Sequence, residues 1–293
     1  MSAVDTAAAQ ARTFEVAIGI GPVRGLRFGV EGGRRVLALH GWLDNAASFV
    51  PLAAHLHNID ALDLVAPDLP GHGRSTHMPP GTDYTFVGAV HQVLDIADAL
   101  GWDRFALLGH SMGAGIASLV AAAVPERIEG LVAIEALGAL PETEDQTVPR
   151  LREAIAAGRI HGARPLRVFP DLDAPVRARM RVNDLSEPVA RLLVERGVQS
   201  VDGGYAWCSD PRLTIPTAVR MTPGQADALV GGIECPTRVI YADPPQPYLP
   251  EPDRSRRARL LPHGDLVVLA GGHHLHMEQP DEVAVAIGDF LRG

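Results

Sequence analysis

The amino-acid sequence predicts an α/β fold: a mostly parallel, eight-stranded sheet with helices on both faces and a helical cap inserted late in the chain. Three observations predict it. Short β-rich runs alternate with helical patterns, which argues for a parallel sheet covered on both sides. The 293 residues are 46% hydrophobic, enough to bury a large core. From about Gly138 to Gly232 the alternation stops, and helical patterns and prolines take over.

The elements follow in order. Thr13 to Ile20 and Leu26 to Val30 read as a strand pair with a Gly-Pro turn between them. Arg35 to Leu39 is a third strand, ending at His40-Gly41, and Ala46 to Leu56 a short helix. Leu62 to Ala66 is a strand closed by the loop DLPGHGRS. Thr85 to Leu100 carries apolar residues near a 3.6-residue period (Val87, Val90, Val93, Leu94, Ile96, Ala97, Leu100), the mark of an amphipathic helix. Phe105 to Leu108 is a buried strand, Met112 to Val124 a buried helix and Leu131 to Ile134 another strand. After the inserted segment come strands at Thr237 to Tyr241 and Leu266 to Ala270, then a closing helix from Asp281 to Leu291. Within the insertion, Val148 to Ala157, Pro188 to Val198 and Thr222 to Val230 show helical patterns and no strand-helix repeat. The expected division is therefore a core of residues 1–137 and 233–293 with a cap of residues 138–232.

Composition narrows the function. A net charge of −9 repels phosphate backbones and anionic lipid, which argues against nucleic-acid and membrane-surface roles. The start, MSAVDTAAAQAR, has no apolar signal-peptide region, and the longest apolar stretch, Ala114 to Val124, is too short to span a bilayer. With only Cys208 and Cys235, no disulfide framework is expected. The expectation is a cytoplasmic monomer or homodimer acting on a small molecule.

The chemistry concentrates in Gly109-His110-Ser111-Met112-Gly113, between a predicted strand and a predicted helix. A sharp turn there brings two backbones together, so the positions two before and two after the serine must be small. The serine is held in an unfavourable backbone region, pointing up from the sheet as a nucleophile. The helix that starts at Met112 offers free N–H groups and a positive dipole end to an oxyanion. A serine needs a base. His273, after Gly271-Gly272 and the last strand, is the candidate. Its neighbours His274 and His276 read as packing or hydrogen-bonding residues. No matching Cys, Asp or Glu ligand pattern stands near them, so no metal site is expected. The second oxyanion donor is expected in HGWLDNAASF, where His40-Gly41 turns the chain and Trp42 N–H points inward beside Met112 N–H. His40, Gly41 and His110 are placed beside the substrate. Asp44 and Asn45 read as caps of the following helix. Tyr205, Trp207 and Arg212 line the pocket or build the cap core.

The chain resembles the α/β-hydrolase superfamily over almost its whole length. His40-Gly41-Trp42, the loop Asp68 to Ser75, Gly109 to Gly113 and Gly272-His273 occur in that family's order. HGWLDNAASF, the stretch Arg196 to Leu213 and GGHHLHMEQP are similar to its serine-hydrolase-like subgroup. The resemblance implies a Ser–acid–His triad, no cofactor and a cap over the pocket. It also implies an acid shortly after the strand that follows the cap. Here that place falls near Pro245 or Gln246, and Asp243 lies slightly early. Other members carry the acid on the preceding core strand, where this chain has Glu135 at the rim of LVAIEALGAL. A carboxylate ending an apolar strand is costly unless paired, and His273 would pair it. Glu135 is the favoured acid and Asp243 the alternative. The expected activity is hydrolysis of an ester, thioester or amide of a small, partly hydrophobic substrate. Acyl transfer, carbon–carbon bond hydrolysis and a ligand-binding protein with an inactive triad are the alternatives.

Overall fold

The computed structural model describes residues 11–56, 59–161 and 167–291. The chain opens with β1 (Arg12–Ile18) and β2 (Gly21–Gly29), an antiparallel pair in which Ile18 faces Gly21 across a two-residue turn. The chain therefore reverses at Gly19-Ile20, and the expected Gly-Pro turn lies inside β2. Pro22 is tolerated there because β4 pairs only with Gly25 to Gly29, so its missing amide breaks no second ladder. Next come β3 (Arg34–Leu39), a 3₁₀ turn from Ala46 to Phe49, α1 (Val50–His55), β4 (Leu62–Pro67) and α2 (Phe86–Ala99), whose first turn is capped by Thr85. They are followed by β5 (Phe105–His110), α3 (Met112–Ala123) and β6 (Ile128–Ile134). β5 runs two residues past the expected Leu108 because Gly109 and His110 still pair with Ala133 and Ile134.

The insertion holds α4 (Thr147–His161), α5 (Asp173–Asn183), α6 (Glu187–Gly197), the hairpin β7 (Val198–Val201) and β8 (Gly204–Trp207), and α7 (Pro223–Gly231). The chain then returns through β9 (Thr237–Asp243), α8 (Asp253–Ala258), β10 (Gly264–Ala270), α9 (Leu275–Glu278) and α10 (Pro280–Ile287). The hairpin corrects the expectation of an all-helical insertion.

The main sheet has eight strands in the order β1-β2-β4-β3-β5-β6-β9-β10, and only β2 runs against the rest. Helices cover both faces, so the middle of each central strand is an unbroken buried apolar run, such as Val36 to Leu39 and Phe105 to Leu108. Leu37, Leu39, Leu107 and Leu131 point to one core with Val93, Ile116 and Val120 of α2 and α3. Val36, Ala38, Leu108 and Val132 alternate to the other face, against Leu52 of α1 and Ile287 of α10. α5, α6 and the hairpin gather a separate small cluster around Val176, Leu185, Val189 and Leu193, with Tyr205 and Trp207 packed on it. α7 instead sends Val230 into the main core.

The insertion is tied to the sheet through Asp68, just past β4. This fully buried carboxylate accepts both arms of Arg196 of α6, at 2.9 and 2.8 Å, and the amides of Ala46 and Arg74, at 2.8 and 2.9 Å. The DLPGHGRS loop wraps so closely round it that a Cβ on Gly73, at φ 49°, would stand 2.3 Å from the Asp68 carboxyl carbon. Removing Arg196 strips a buried charge of its partner. Arg196→Met is expected to cost about 3–5 kcal/mol, roughly 6–15 °C in Tm. Arg191→Met, on the same helix but in a surface pair with Glu187, is expected to change stability by less than about 1 kcal/mol. Thermal unfolding of both variants checks this.

Candidate active site

Ser111 connects β5 to α3 at φ 51° and ψ −118°, a conformation costly for any residue with a side chain. Two backbone bonds hold it there: Ser111 N donates to Ile134 O at 2.8 Å, and Gly115 N to Ser111 O at 3.0 Å. A Cβ on Gly109 would lie 2.5 Å from Ala114 Cα, and one on Gly113 would collide with the Leu39 carbonyl. Both glycines are thus required by backbone crossing, and the turn lifts the Ser111 hydroxyl off the sheet.

The loop after β10 brings His273 over this hydroxyl. His273 Nε2 is 2.9 Å from Ser111 Oγ, and His273 Nδ1 donates to Glu135 Oε2 at 3.0 Å. Glu135 follows β6 at φ 61° and is only 3% exposed. Its other oxygen accepts from the Ala242 amide of β9 at 2.6 Å, and its own amide donates to Ile240 O at 2.9 Å. Serine, histidine and glutamate, distant in sequence, form one hydrogen-bonded line. Asp243 lies apart from it: its side chain is 65% exposed and faces Arg254 at 3.7 Å.

The remaining expected residues divide. Met112 opens α3, where its amide has no helical acceptor. Trp42 stands in a tight turn closed by Asp44 N to Gly41 O, and its half-exposed indole donates to Leu213 O of the insertion at 3.0 Å. His40 is fully buried. Its Nδ1 donates to Gly41 O at 2.8 Å and its Nε2 accepts from Leu69 N at 3.0 Å. Both ring nitrogens are consumed, so His40 is a strut under the DLPGHGRS loop and not a substrate contact. His110 is also fully buried, with Nε2 donating to the His273 carbonyl at 2.8 Å. His276 bonds Ser48 Oγ at 2.7 Å.

Asp44 corrects a second expectation. Asn45 alone caps the helical turn, accepting from Ala47 N at 3.0 Å. Asp44 turns inward to Arg179 of α5 and to His274 Nε2 at 3.3 Å. Burial alone would raise its carboxyl, but Arg179 and His274 hold it well below the usual carboxylate range. The carboxylate that seemed missing near the His-rich tract is therefore Asp44, brought there by tertiary folding. The Asp44, His110 and His274 ligand atoms all lie within 4.8 Å of one another. Sequence reasoning also passed over Tyr248. Its hydroxyl is 3.1 Å from His273 Nδ1 and 3.4 Å from Nε2, and burial pushes it up to about 12, so it stays protonated at neutral pH. Only its place in the loop after β9 hinted at this.

A cavity of about 710 Å³ opens beside the turn, lined mainly by apolar residues such as Phe86, Val87, Leu140, Val219, Met221 and Leu229. Its lining stops short of Ser111. Phe86, on its wall, packs over Gly115, one turn along α3 from the serine. The volume is in the range of small-molecule sites.

A family model described as the alpha/beta hydrolase fold matches residues 34–280. The serine hydrolase-like protein of Danio rerio is 31% identical, covering 96% of this chain and 89% of its own length. Among solved structures, a hypothetical protein from Pseudomonas aeruginosa PAO1 is 38% identical with a TM-score of 0.89, over 97% of this chain and 99% of that one. The thioesterase domain from the curacin biosynthetic pathway is 26% identical with a TM-score of 0.81, over 94% and 98%.

Four fully enclosed histidines make the site acid-sensitive. Burial lowers His40; burial and then His40 lower His72 to about 3; burial and neighbouring imidazoles hold His110 and His276 well below the ordinary value. All are neutral when folded, whereas in the unfolded chain they take up protons near pH 6.5. Below about pH 6.5 the unfolded chain therefore binds more protons, and stability falls as pH falls, by up to about 1.4 kcal/mol per pH unit for each group. For His72 the loss levels off only near pH 3. Tm is expected to drop steeply from pH 6.5 to 4.5; a flat profile over that range would contradict the burial of neutral imidazoles.

Proposed function

The chain belongs to the α/β-hydrolase superfamily, in its serine-hydrolase-like subgroup, and on that premise we propose that it hydrolyses an ester, thioester or amide through an acyl-enzyme on Ser111. The observation that carries the reading is the line of two hydrogen bonds, 2.9 and 3.0 Å, from Ser111 through His273 to Glu135.

In this mechanism Ser111 Oγ attacks the substrate carbonyl while His273 Nε2 takes its proton. Glu135 fixes the tautomer and steadies the imidazolium. The oxyanion is received by the amides of Met112 and Trp42, the first reinforced by the positive end of α3. His273 then returns the proton to the leaving group, and water repeats the sequence to free the acid. The insertion acts as the cap. The apolar cavity beside Gly115 takes the acyl part, which favours a modest-sized, partly hydrophobic group and a carboxylic ester as substrate. The likeness to a thioesterase domain supports the same acyl chemistry.

A fluorophosphonate probe is expected to label one site per chain in the wild type and none in Ser111→Ala. Turnover of short-chain p-nitrophenyl esters is expected to fall by about 10⁴-fold or more in that variant. A folded wild type that takes no label would make the protein a ligand binder.

A further inference from the structure

We propose that Asp44, His110 and His274 form a binding site for one divalent transition-metal ion of the zinc class, and that an ion held there inhibits hydrolysis. The two Asp44 oxygens face different ways. Arg179 takes Oδ1, while Oδ2 points to His274 Nε2 at 3.3 Å and His110 Nδ1 at 3.9 Å. The His110 tautomer is set by its other nitrogen, which donates to the His273 carbonyl at 2.8 Å. Nδ1 is therefore a bare lone pair, fully buried and without a hydrogen-bond partner among the described residues. Asp44 Oδ2 accepts from His274, but His110 Nδ1, 3.9 Å from the same oxygen, faces it with no proton between them, an unsatisfied buried acceptor beside a carboxylate that a cation would relieve.

Gly41 backs the site closely: a Cβ on it would stand 2.9 Å from Asp44 Oδ2 and 3.0 Å from His110 Nδ1, so any side chain there would press on both ligand atoms. Tetrahedral zinc with bonds of about 2.0–2.2 Å holds ligand atoms about 3.3–3.5 Å apart, within small ring rotations of the distances seen. Two imidazoles and one carboxylate suit zinc, with the fourth position left to water. In the metal-free chain His274 Nε2 donates to Asp44 Oδ2, so binding an ion would move that proton to Nδ1, which has no hydrogen-bond partner among the described residues, and free the Nε2 lone pair for the metal. Arg179 would remain on Oδ1 as the outer hydrogen bond that orients the ligating carboxylate.

Inhibition follows from connectivity. His110 grips the His273 carbonyl, and His274 is the next residue in the chain. Drawing both toward a shared ion shifts the backbone on either side of His273 and lengthens its 2.9 Å contact with Ser111. The inhibitory part rests on the serine-hydrolase reading; the site itself does not.

The test titrates zinc chloride into the chelator-stripped full chain by calorimetry, beside Asp44→Asn and His274→Asn, each first shown to fold by metal-free thermal unfolding. The expected result is one ion per wild-type chain and binding weakened by about 100-fold in both variants. Wild-type ester turnover falls with the same zinc midpoint and recovers on chelation, while His274→Asn turnover resists zinc. No saturable binding below about 1 mM, or equal affinity in the variants, overturns the site. Saturable binding with unchanged wild-type turnover overturns the inhibitory role. Absence of turnover in the metal-free wild type counts against the hydrolase reading alone, since calorimetry still decides the site.

Discussion

A single buried carboxylate organises the centre of this molecule. Glu135 follows the fully buried apolar run Leu131 to Ile134 and lies almost wholly out of water, where an unpaired charge would be prohibitive. Its two oxygens are satisfied from two directions, by the Ala242 amide of β9 and by His273 from the loop after β10. The left-handed backbone at Glu135 turns the side chain toward both. Meeting that charge brings the imidazole to Ser111, so the electrostatic need of one residue positions the base for another. The serine turn is rigid for a separate reason, the crossing of backbones at Gly109 and Gly113.

The second organising feature is the grip of the insertion on four consecutive residues after β3. Trp42 donates to Leu213, the Leu43 carbonyl and the Asp44 carboxylate both accept from Arg179, and Asn45 donates to Leu193. Leu43 lies at φ 59°, a strained conformation that this grip maintains. The same stretch supplies the proposed oxyanion amide at Trp42. Packing of the insertion and the geometry beside Ser111 are therefore linked, and a change in α5 or α6 reaches the reacting centre without touching substrate.

Most of the sheet was legible because its central strands are short, continuous apolar runs between helical patterns, and because α2 carries the 3.6-residue spacing. The serine turn was legible because its glycines answer a steric demand that is local in sequence. Glu135 was legible only by asking what a carboxylate does at the end of an apolar strand. What escaped was set by distant partners or weak patterns. Asp44 looks like a helix cap until Arg179, 135 residues away, arrives beside it. α5 is polar along most of its length and buries only Pro175 and Val176, so it carries little periodicity. The hairpin β7–β8 did carry a signal, Asp202-Gly203 between β-rich residues, hidden by the helical patterns around it.

The central claim, that Glu135 and not Asp243 orients His273, is tested most directly by comparing Glu135→Gln with Asp243→Asn in steady-state ester hydrolysis. The glutamine keeps the shape but removes the charge that holds the Nδ1–H tautomer, and kcat is expected to fall by about 10³–10⁴-fold. Asp243→Asn, altering an exposed side chain turned to Arg254, is expected to stay within about twofold of wild type. The reverse pattern, with the asparagine variant inactive and the glutamine variant unimpaired, would contradict the account.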